Sequence, residues 1–280
     1  MHLIGRVASM ATQSLYRRFR PRKFSELYGQ DHVVRALRNA VINEREGQAY
    51  LFSGPRGTGK TSTARILAKV LNCETPIEGE PCCTCPSCIA VEAGTSYDVI
   101  ELDAASNNGV DDIRELIDHA ALGNPGRHRV FILDEVHMLS KGAEAALLKT
   151  LEEPPKHAIF ILATTEKHKI IPTILSRCQI FDFNRIKVKD IANHLSKIAV
   201  NEKITADPDA LHLIAQKADG ALRDSLSIFD QIVSFSGNNL TYQAVLDNLN
   251  ILDYDYFFKA VDFSNEANIP GALVLFNEVM

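Results

Sequence analysis

The residues best suited to chemistry form a glycine-rich segment that ends in a lysine and two hydroxyl side chains: Gly54, Pro55, Arg56, Gly57, Thr58, Gly59, Lys60, Thr61 and Ser62. The segment fits G-x-x-x-x-G-K-[ST], in which backbone N–H groups and the next helix N-terminus surround phosphate oxygens. Lys60 is expected to reach the β and γ phosphates, and the Thr61 hydroxyl to hold Mg²⁺. The sequence therefore predicts a nucleotide-binding loop. A glycine-rich turn with a chance lysine is the weaker alternative.

A pair of acidic residues, Asp134 and Glu135, supplies the second candidate group. The pair follows the apolar run 130–133, so it stands at the end of a predicted buried strand. We expect this strand to neighbour the one before the loop, with Asp134 coordinating Mg²⁺ through water and Glu135 polarising the attacking water. Because a transferase must exclude water, the second acid favours an ATP hydrolase over a kinase. An acidic pair in an ordinary turn is the alternative.

Three further polar positions could complete such a site. Thr164 and Thr165 end the apolar run 159–163, which would place a hydroxyl beside the γ-phosphate. Arg177 precedes Cys178, and Arg223 opens a predicted helix. Taken singly, each is more often a structural hydrogen-bonding residue, so only their order along the chain makes them candidates.

Five of the six cysteines lie between positions 73 and 88. Cys73, Cys82, Cys85 and Cys88 contain two C-x-x-C steps that share Cys85, a spacing that suits tetrahedral Zn²⁺. Four thiolates leave no open position, so this would be a structural zinc site that staples an insert too small to fold unaided. Cys83 lies between two ligands and either competes for the metal or is a bystander. A reduced, metal-free cluster is the alternative.

Alternating strands and helices must position these groups. Short apolar runs bounded by glycine and proline predict buried strands at 49–52, 99–102, 130–133, 159–163 and 180–183. Helical patterns lie between them, one beginning at Asp31 and another near Lys60. This alternation predicts an α/β domain over residues 1–185, with a mostly parallel sheet covered on both faces and the zinc insert at 73–88.

The pattern changes near Arg185, after which we expect helices and no strands. Helices are predicted over 188–200, from the Asp207-Pro208 cap, over 220–235 and after the cap Thr241. Two apolar helical stripes follow in 251–280. The Pro-containing stretch 16–21 is expected to be extended. We also expect the natural protein to continue beyond Met280, because no cap ends the last stripe.

Composition bounds the class of protein. Apolar residues make up 46% of the chain and charged residues 23%, a soluble globular balance that excludes rods and disordered chains. No run long enough to cross a membrane and no secretory leader is present, so a cytoplasmic location is expected. The net charge is −5, yet residues 1–70 hold 13 Lys and Arg against 4 Asp and Glu. That basic block indicates a polyanion nearby or a solvated basic face.

The order of these motifs resembles the AAA+ ATPases and, within them, the gamma/tau family of bacterial DNA polymerase III clamp-loader subunits. The resemblance runs from about Leu15 to the end. It rests on the loop, the Asp-Glu-Val-His run at 134–137, the segment 147–155, Ser-Arg-Cys at 176–178 and the cysteine insert. It implies an AAA+ nucleotide-binding domain, a helical lid over 186–250 and the start of a collar, or oligomerisation, domain over 251–280.

The resemblance also implies roles for single residues. Thr165 matches the first sensor and Arg223 the second, which reports nucleotide from the lid. Arg177 matches an arginine finger that acts in trans on ATP bound by the neighbouring subunit. The lead-in residues Tyr16, Arg18 and Pro21 match the segment that closes over the adenine.

The implied function is that of an ATPase motor subunit in a hetero-pentamer that loads a sliding clamp onto primer–template DNA during replication. DNA polymerase, or nucleotidyltransferase, chemistry belongs to the holoenzyme. Polymerase and helicase would bind through a further C-terminal part. Candidate DNA contacts are the helix start at 107–109 and Lys141, although the basic residues that relatives carry near 107–109 are missing here.

Two alternatives remain open. An AAA+ branch-migration motor would account for the loop and the acidic pair, but not for the cysteine insert. A non-catalytic stator subunit of the same clamp loader would have no use for an intact Lys60 and Thr61 beside Asp134 and Glu135.

Overall fold

A five-stranded sheet forms the centre of the structure, a computed structural model that describes residues 14–121, 128–249, 254–266 and 268–279. In chain order its strands are β1 (Ala49–Ser53), β2 (Val99–Asp103), β3 (Arg129–Asp134), β4 (Ala158–Thr164) and β5 (Gln179–Asp182). All neighbouring pairs are parallel, and the spatial order is β2-β3-β4-β1-β5. The predicted parallel α/β architecture is therefore confirmed.

The five predicted strands are all present, and no end is shifted by more than one residue. The prediction that all five are buried is wrong for β2 and β5, which are half-buried or exposed because each lies at an edge of the sheet and has a neighbour on one side only. Strands β1 and β4 are buried along their whole length, as expected for strands covered on both faces. The fifth strand ends at Asp182, whereas the apolar pattern extended it to Phe183. That residue is still buried beneath the sheet, since its ring lies 5.3 Å from the ring of Phe52.

Helices connect the strands. They are α1 (Leu15–Arg18), α2 (Asp31–Ile42), α3 (Lys60–Leu71), α4 (Pro86–Ala93), α5 (Val110–Ala121), α6 (Lys141–Glu152) and α7 (Pro172–Leu175). Short 3-10 turns occupy Phe24–Glu26, Val136–Met138 and Lys167–Lys169. Two apolar clusters lie on the two faces of the sheet, one centred on Phe131 and Phe160 and the other on Tyr50 and Phe52.

A second, helical core follows the sheet. It is built by α8 (Val188–Asn201), α9 (Pro208–Lys217), α10 (Leu222–Ser236) and α11 (Tyr242–Leu249). Asp207 and Thr241 cap their helices as predicted, accepting from the backbone N–H groups of Asp209 and Ala244. Phe183 packs with the sheet and Ile186 with the helices, so the change of core falls between these two residues.

Two expectations for these segments are wrong. Strands do not stop at Arg185, because Thr205–Ala206 (β6) and Asn239–Leu240 (β7) form a small parallel pair that ties two helix connections together. Stretch 16–21 is not wholly extended, because Leu15–Arg18 is helical and Leu15 is buried in the helical core. Both departures arise from packing between segments far apart in sequence.

Two more helices, α12 (Tyr254–Asn265) and α13 (Ile269–Val279), match the two predicted stripes. They pack against each other and border an open groove of about 470 Å³ lined by residues such as Phe263 and Phe276. Among the described residues, no helix combines the length and apolarity that crossing a membrane requires.

Candidate functional site

The glycine-rich loop lies between β1 and α3, at the carboxyl edge of the sheet. Gly54 has φ +148°, and a Cβ there would lie 2.3 Å from the carbonyl oxygen of Phe183. Gly59 caps α3 with φ +103°, a left-handed conformation that glycine adopts without strain. Arg56 is exposed, whereas Thr58 is buried and its hydroxyl donates to the carbonyl of Pro55 at 2.8 Å. The loop therefore has the curled, glycine-dependent backbone that phosphate binding requires.

Lys60 points back into this loop. Its Nζ donates to the carbonyl oxygens of Gly54 and Pro55 at 2.8 and 2.9 Å, and only 5% of the residue is exposed. Burial lowers the pKa of Lys60, while Glu135 and Asp134 raise it. The ammonium thus lies within the loop, where a phosphate could replace the carbonyls as acceptor.

Thr61 and Asp134 meet directly, since the Thr61 hydroxyl donates to Asp134 Oδ2 at 2.6 Å. The expectation that their strands are neighbours is wrong: β4 lies between β1 and β3. The two residues meet because Thr61 is carried by α3, which packs against β4 and β3. A hydroxyl and a carboxylate side by side are oxygen ligands of the kind Mg²⁺ prefers, so the donor set fits that ion.

Glu135 has φ +50°, a left-handed conformation that is uncommon outside glycine. Its Oε2 accepts from the backbone N–H and the hydroxyl of Thr165, at 3.2 and 3.1 Å. The predicted water-polarising acid and the predicted first sensor are therefore in contact. His137 lies beside them, and sequence reasoning did not select it although it is part of the same acidic motif.

The helical core closes over the loop through the start of α10. The backbone N–H of Leu222 donates to the Gly57 carbonyl at 3.0 Å, and a Cβ on Gly57 would lie 2.9 Å from Ala221 Cβ. The guanidinium of Arg223, one residue further, lies 5.0 Å from the centre of the Tyr16 ring. Arg223 and Tyr16, both predicted as nucleotide contacts, therefore share one edge of the site.

The lead-in contributes a residue that sequence reasoning missed. Arg20 Nε donates to the hydroxyl of Ser62 at 3.2 Å, next to the loop. Burial and Arg65 lower the pKa of Arg20, while Glu101 and Asp134 raise it. By contrast, the predicted contact Arg18 pairs at 2.5 Å with Glu202, the residue that caps the end of α8, away from the loop.

Pro21 is partly buried in the irregular segment that follows Arg20. Gln30 was also missed: its amide donates to the Asn184 carbonyl at 2.7 Å and accepts from the Asn184 N–H at 3.2 Å. The side chain is fully buried and also lies 3.5 Å from the Thr58 carbonyl. Its place after Gly29 could have marked it as a helix-start residue, but its partner lies 154 positions away.

Arg177 is not brought into this site by any described contact. Its guanidinium donates to the Thr173 carbonyl at 2.8 Å and to Glu152 Oε1 at 2.7 Å. Its side chain is 32% exposed on the surface of α6 and α7. This position suits a residue offered to a neighbouring molecule.

The four predicted cysteines converge. The sulfurs of Cys73, Cys82, Cys85 and Cys88 all lie within 4.8 Å of one another, and those of Cys82 and Cys88 are 3.9 Å apart. Tetrahedral zinc with about 2.3 Å bonds to sulfur requires sulfurs about 3.8 Å apart, so the cluster fits that metal. Cys83 lies apart, with its sulfur 3.7 Å from the Arg22 carbonyl.

Backbone N–H groups surround the cluster sulfurs. Cys82 accepts from the N–H groups of Thr84 and Cys85 at 3.4 and 3.3 Å, and Cys85 accepts from Cys88 N–H at 3.4 Å. Hydrogen bonds from Thr84 are the main reason that the pKa of Cys82 falls to about 5, while burial raises the pKa of Cys73 and Cys88. The donors are arranged to stabilise thiolate.

The candidate DNA contacts lie together as well. The N–H of Ser140 donates to the Asn108 carbonyl at 3.1 Å, so the starts of α5 and α6 are adjacent. Lys141 is exposed at the first position of α6. Asp111 and Asp112 occupy the first turn of α5 and oppose phosphate binding there.

Two family models match the chain. One, described as the delta subunit of DNA polymerase III, matches residues 29–187, and the other, described as the ATPase lid domain of a DNA polymerase III clamp loader subunit, matches residues 190–238. The chain belongs to the family of DNA polymerase III clamp-loader subunits. The family inferred from the motifs is thereby confirmed.

Curated relatives agree with this membership. DNA polymerase III subunit tau of Bacillus subtilis is 48% identical over 272 residues, which are 97% of this chain and 48% of that protein. The tau subunit of Escherichia coli is 46% identical over 96% of this chain and 42% of its own length. The chain thus spans about half the length of these clamp-loader relatives.

Solved structures show the shared fold. Thermotoga maritima RuvB, a Holliday junction branch migration motor, aligns with a TM-score of 0.60 and 19% identity, covering 89% of this chain and 80% of that one. A point mutant of the same RuvB aligns with a TM-score of 0.59 at 21% identity, covering 84% of this chain and 74% of that one. The AAA+ architecture predicted for this clamp-loader chain is confirmed, whereas a likeness at this identity does not carry RuvB's activity over.

Proposed function

We propose that this chain is the ATPase motor subunit of a bacterial clamp loader, which hydrolyses ATP to load a sliding clamp onto primed DNA during replication. The observation that carries the proposal is the hydrogen bond between Thr61 and Asp134. It joins the phosphate loop to the acidic pair in one chain, as a hydrolytic site needs. The clamp-loader family and the tau relatives supply the biological setting.

Each residue of the site has a task in this proposal. Lys60 exchanges its two loop carbonyls for the β and γ phosphates, aided by the loop N–H groups and the start of α3. Thr61 and Asp134 hold Mg²⁺, which neutralises phosphate charge when bound. Glu135 orients the attacking water and accepts its proton, and Thr165 fixes that carboxylate.

Arg223 reports nucleotide from the lid, because α10 already touches the loop through Leu222. Arg177 completes the site of a neighbouring subunit, in keeping with its exposed position. Such a finger is worth roughly 10³–10⁵ in rate in related hydrolases. We therefore expect slow hydrolysis by the isolated chain and faster hydrolysis in an assembly.

The cysteine cluster is proposed to hold one structural Zn²⁺ through Cys73, Cys82, Cys85 and Cys88. The mutual distances and the N–H···S bonds support it. The metal would fix the loop between α3 and α4, and its chemistry would be structural because four thiolates complete its coordination.

The domain limits and partners belong to the same proposal. We assign residues 1–185 to the nucleotide-binding domain, 186–250 to the lid and 251–280 to the start of the collar. Partners would be other clamp-loader subunits, the sliding clamp and primer–template DNA, gripped in part near residues 107–109 and Lys141. Polymerase and helicase would bind residues outside this chain. Replication would place the protein in the bacterial cytoplasm.

The test is ATP hydrolysis by the protein assembled with its partner subunits, with and without clamp plus primed DNA. Strong stimulation that Arg177→Ala removes, while ATP binding by the mutant chain persists, is the expected result. Lys149→Ala, a basic residue on the neighbouring α6, is the control that should retain stimulation. Stimulation by branched DNA that ignores the clamp would instead favour the branch-migration motor.

The stator alternative makes a different prediction, namely that the isolated chain binds no nucleotide. The joined Lys60, Thr61 and Asp134 favour the motor. Measurable ATP affinity that Lys60→Ala abolishes would exclude the stator.

A further inference from the structure

His137 occupies a position that the proposed mechanism does not yet use. It lies in the short turn Val136–Met138, two residues after Glu135, and its side chain is only 9% exposed. Its Nδ1 lies 3.1 Å from Thr164 Oγ1 and 3.4 Å from Glu135 Oε2. Its Nε2 lies 3.2 Å from Glu166 Oε2. One ring therefore contacts Glu135 and both chain neighbours of Thr165.

The surroundings of the ring fix its position. Thr164 is fully buried at the end of β4, and its hydroxyl also accepts from the N–H of Glu166 at 3.0 Å. Glu166 is held in turn by Lys169, whose Nζ lies 2.5 Å from the carboxylate. The imidazole is thus anchored on its far side and cannot swing away from Glu135 without breaking these contacts.

The geometry leaves one oxygen of Glu135 for chemistry. Oε2 receives the N–H and hydroxyl of Thr165 and faces His137, whereas these contacts leave Oε1 unused. A carboxylate held by one oxygen presents the other in a defined direction, which is what orienting a water requires. Glu135 also has a left-handed backbone conformation, which costs free energy and persists only where surrounding contacts hold the residue in place.

We propose that His137 is a positioning residue for ATP hydrolysis. Its Nδ1 fixes the carboxylate of Glu135, while Glu166 and Thr164 fix the imidazole ring. The inference rests on the proposed function in one respect, the role of Glu135 in hydrolysis. His137 does not touch the phosphate loop in any described contact, so its effect should fall on turnover and leave ATP binding intact.

The matched variants are His137→Asn and His137→Gln, made in the protein assembled with its partner subunits. The Asn amide nitrogen lies near the place of Nδ1, and the Gln amide nitrogen near that of Nε2. We expect His137→Gln to lower kcat about tenfold or more with KM for ATP nearly unchanged, and His137→Asn to retain most of the activity. Equal losses in both variants, unchanged kcat in His137→Gln, or a loss confined to KM would overturn the proposal.

A second measurement does not depend on hydrolysis. Hydrogen–deuterium exchange, followed without nucleotide in a peptide that contains the Thr165 amide, reports the bond to Glu135. We expect faster exchange in His137→Gln than in wild type and His137→Asn, with unchanged exchange in β2 as the folding control. Equal exchange in all three would also overturn it. If the wild-type assembly fails to hydrolyse ATP, the proposed function fails and this exchange still decides whether His137 positions Glu135.

Discussion

The cysteine cluster takes its four sulfurs from residues 73–88, whereas the nucleotide site takes its side chains from Arg20, the loop, the ends of β3 and β4, and the start of α10. The cluster needs only local chain reversal, because each C-x-x-C step brings two sulfurs together. The nucleotide site needs the whole fold, since the hydrogen bond from Thr61 to Asp134 spans 73 positions and the one from Leu222 to Gly57 spans more. For a site of the first kind, spacing predicts both the residues and their contacts, whereas for one of the second kind motifs predict the residues and only the fold determines their contacts.

Replacing one of the proposed zinc ligands tests whether the cluster depends only on residues 73–88. This change should have the largest effect on folding. Cys85→Ser is expected to remove the metal, whereas Cys83→Ser, whose sulfur lies outside the cluster, should keep one zinc per chain. Structural zinc contributes about 10–16 kcal/mol of apparent binding energy in small peptides, so the insert should unfold. Metal analysis and limited proteolysis would measure both.

Cys85→Ser and Cys83→Ser also test whether the cysteine cluster and the nucleotide site are independent of each other. If the two sites are independent, ATP affinity should survive in Cys85→Ser. Loss of ATP binding would show that order in the insert affects the loop through α3. The last turn of α3 carries Lys69, which is ion-paired with Glu92 of α4 at 2.5 Å.

Glu135→Gln should lower ATP hydrolysis about 10²–10⁴-fold, because an amide does not accept the water's proton. ATP affinity and zinc content should remain, which single-turnover kinetics, equilibrium binding and metal analysis would check. Glu153→Gln removes the same charge from an exposed position at the end of α6 and serves as control. Near-normal hydrolysis by Glu135→Gln would contradict the assigned role.

Gly57→Ala tests whether the nucleotide site depends on contact between distant segments. A methyl group there would lie 2.9 Å from Ala221 Cβ, and φ is +76°. We expect a loss of about 1–3 kcal/mol in the free energy of unfolding and weaker ATP binding. Gly94→Ala is the matched control, because φ is +70° and nothing lies within 4 Å. Equal effects of the two variants would show that backbone strain, and not the lid, is responsible.

Replacing His194 should have the smallest effect on the free energy of unfolding, and the size of this effect should depend on pH. Among the described residues neither ring nitrogen has a hydrogen-bond partner, and burial lowers its pKa from 6.5 to about 4. Between these pH values the unfolded chain binds a proton that the folded chain does not, so stability falls as pH falls through that window. From pH 7.5 to 5.5 this residue should cost about 1 kcal/mol.

The check is urea unfolding of His194→Gln and of His212→Gln, which removes an exposed histidine. Only the first variant should have a shallower pH dependence than wild type. Release of the proposed zinc at low pH would affect all three proteins alike, so it would cancel in the comparison. Identical pH dependence in all three would mean that His194 is not kept neutral by the fold.

Several features were determined by the sequence itself. Apolar runs bounded by glycine and proline predicted all five sheet strands, and most directly the central strands β1, β3 and β4, because a strand buried on both faces needs nearly uninterrupted apolar residues. The loop from Gly54 to Thr61 and the four cysteines were identified because their chemistry depends on residues close together in the chain. The caps Asp207 and Thr241 are local for the same reason.

Other features were decided only by the tertiary structure. The position of β4 between β1 and β3, the helical start of the lead-in and the small β6–β7 pair all depend on contacts between distant segments. Arg20, Gln30 and His137 were missed because their partners lie at positions that local patterns do not relate. Periodicity reports which face of an element is buried, but parallel strands of similar composition can be arranged in many orders. Packing of the whole chain selects one order, and with it the neighbours of each side chain.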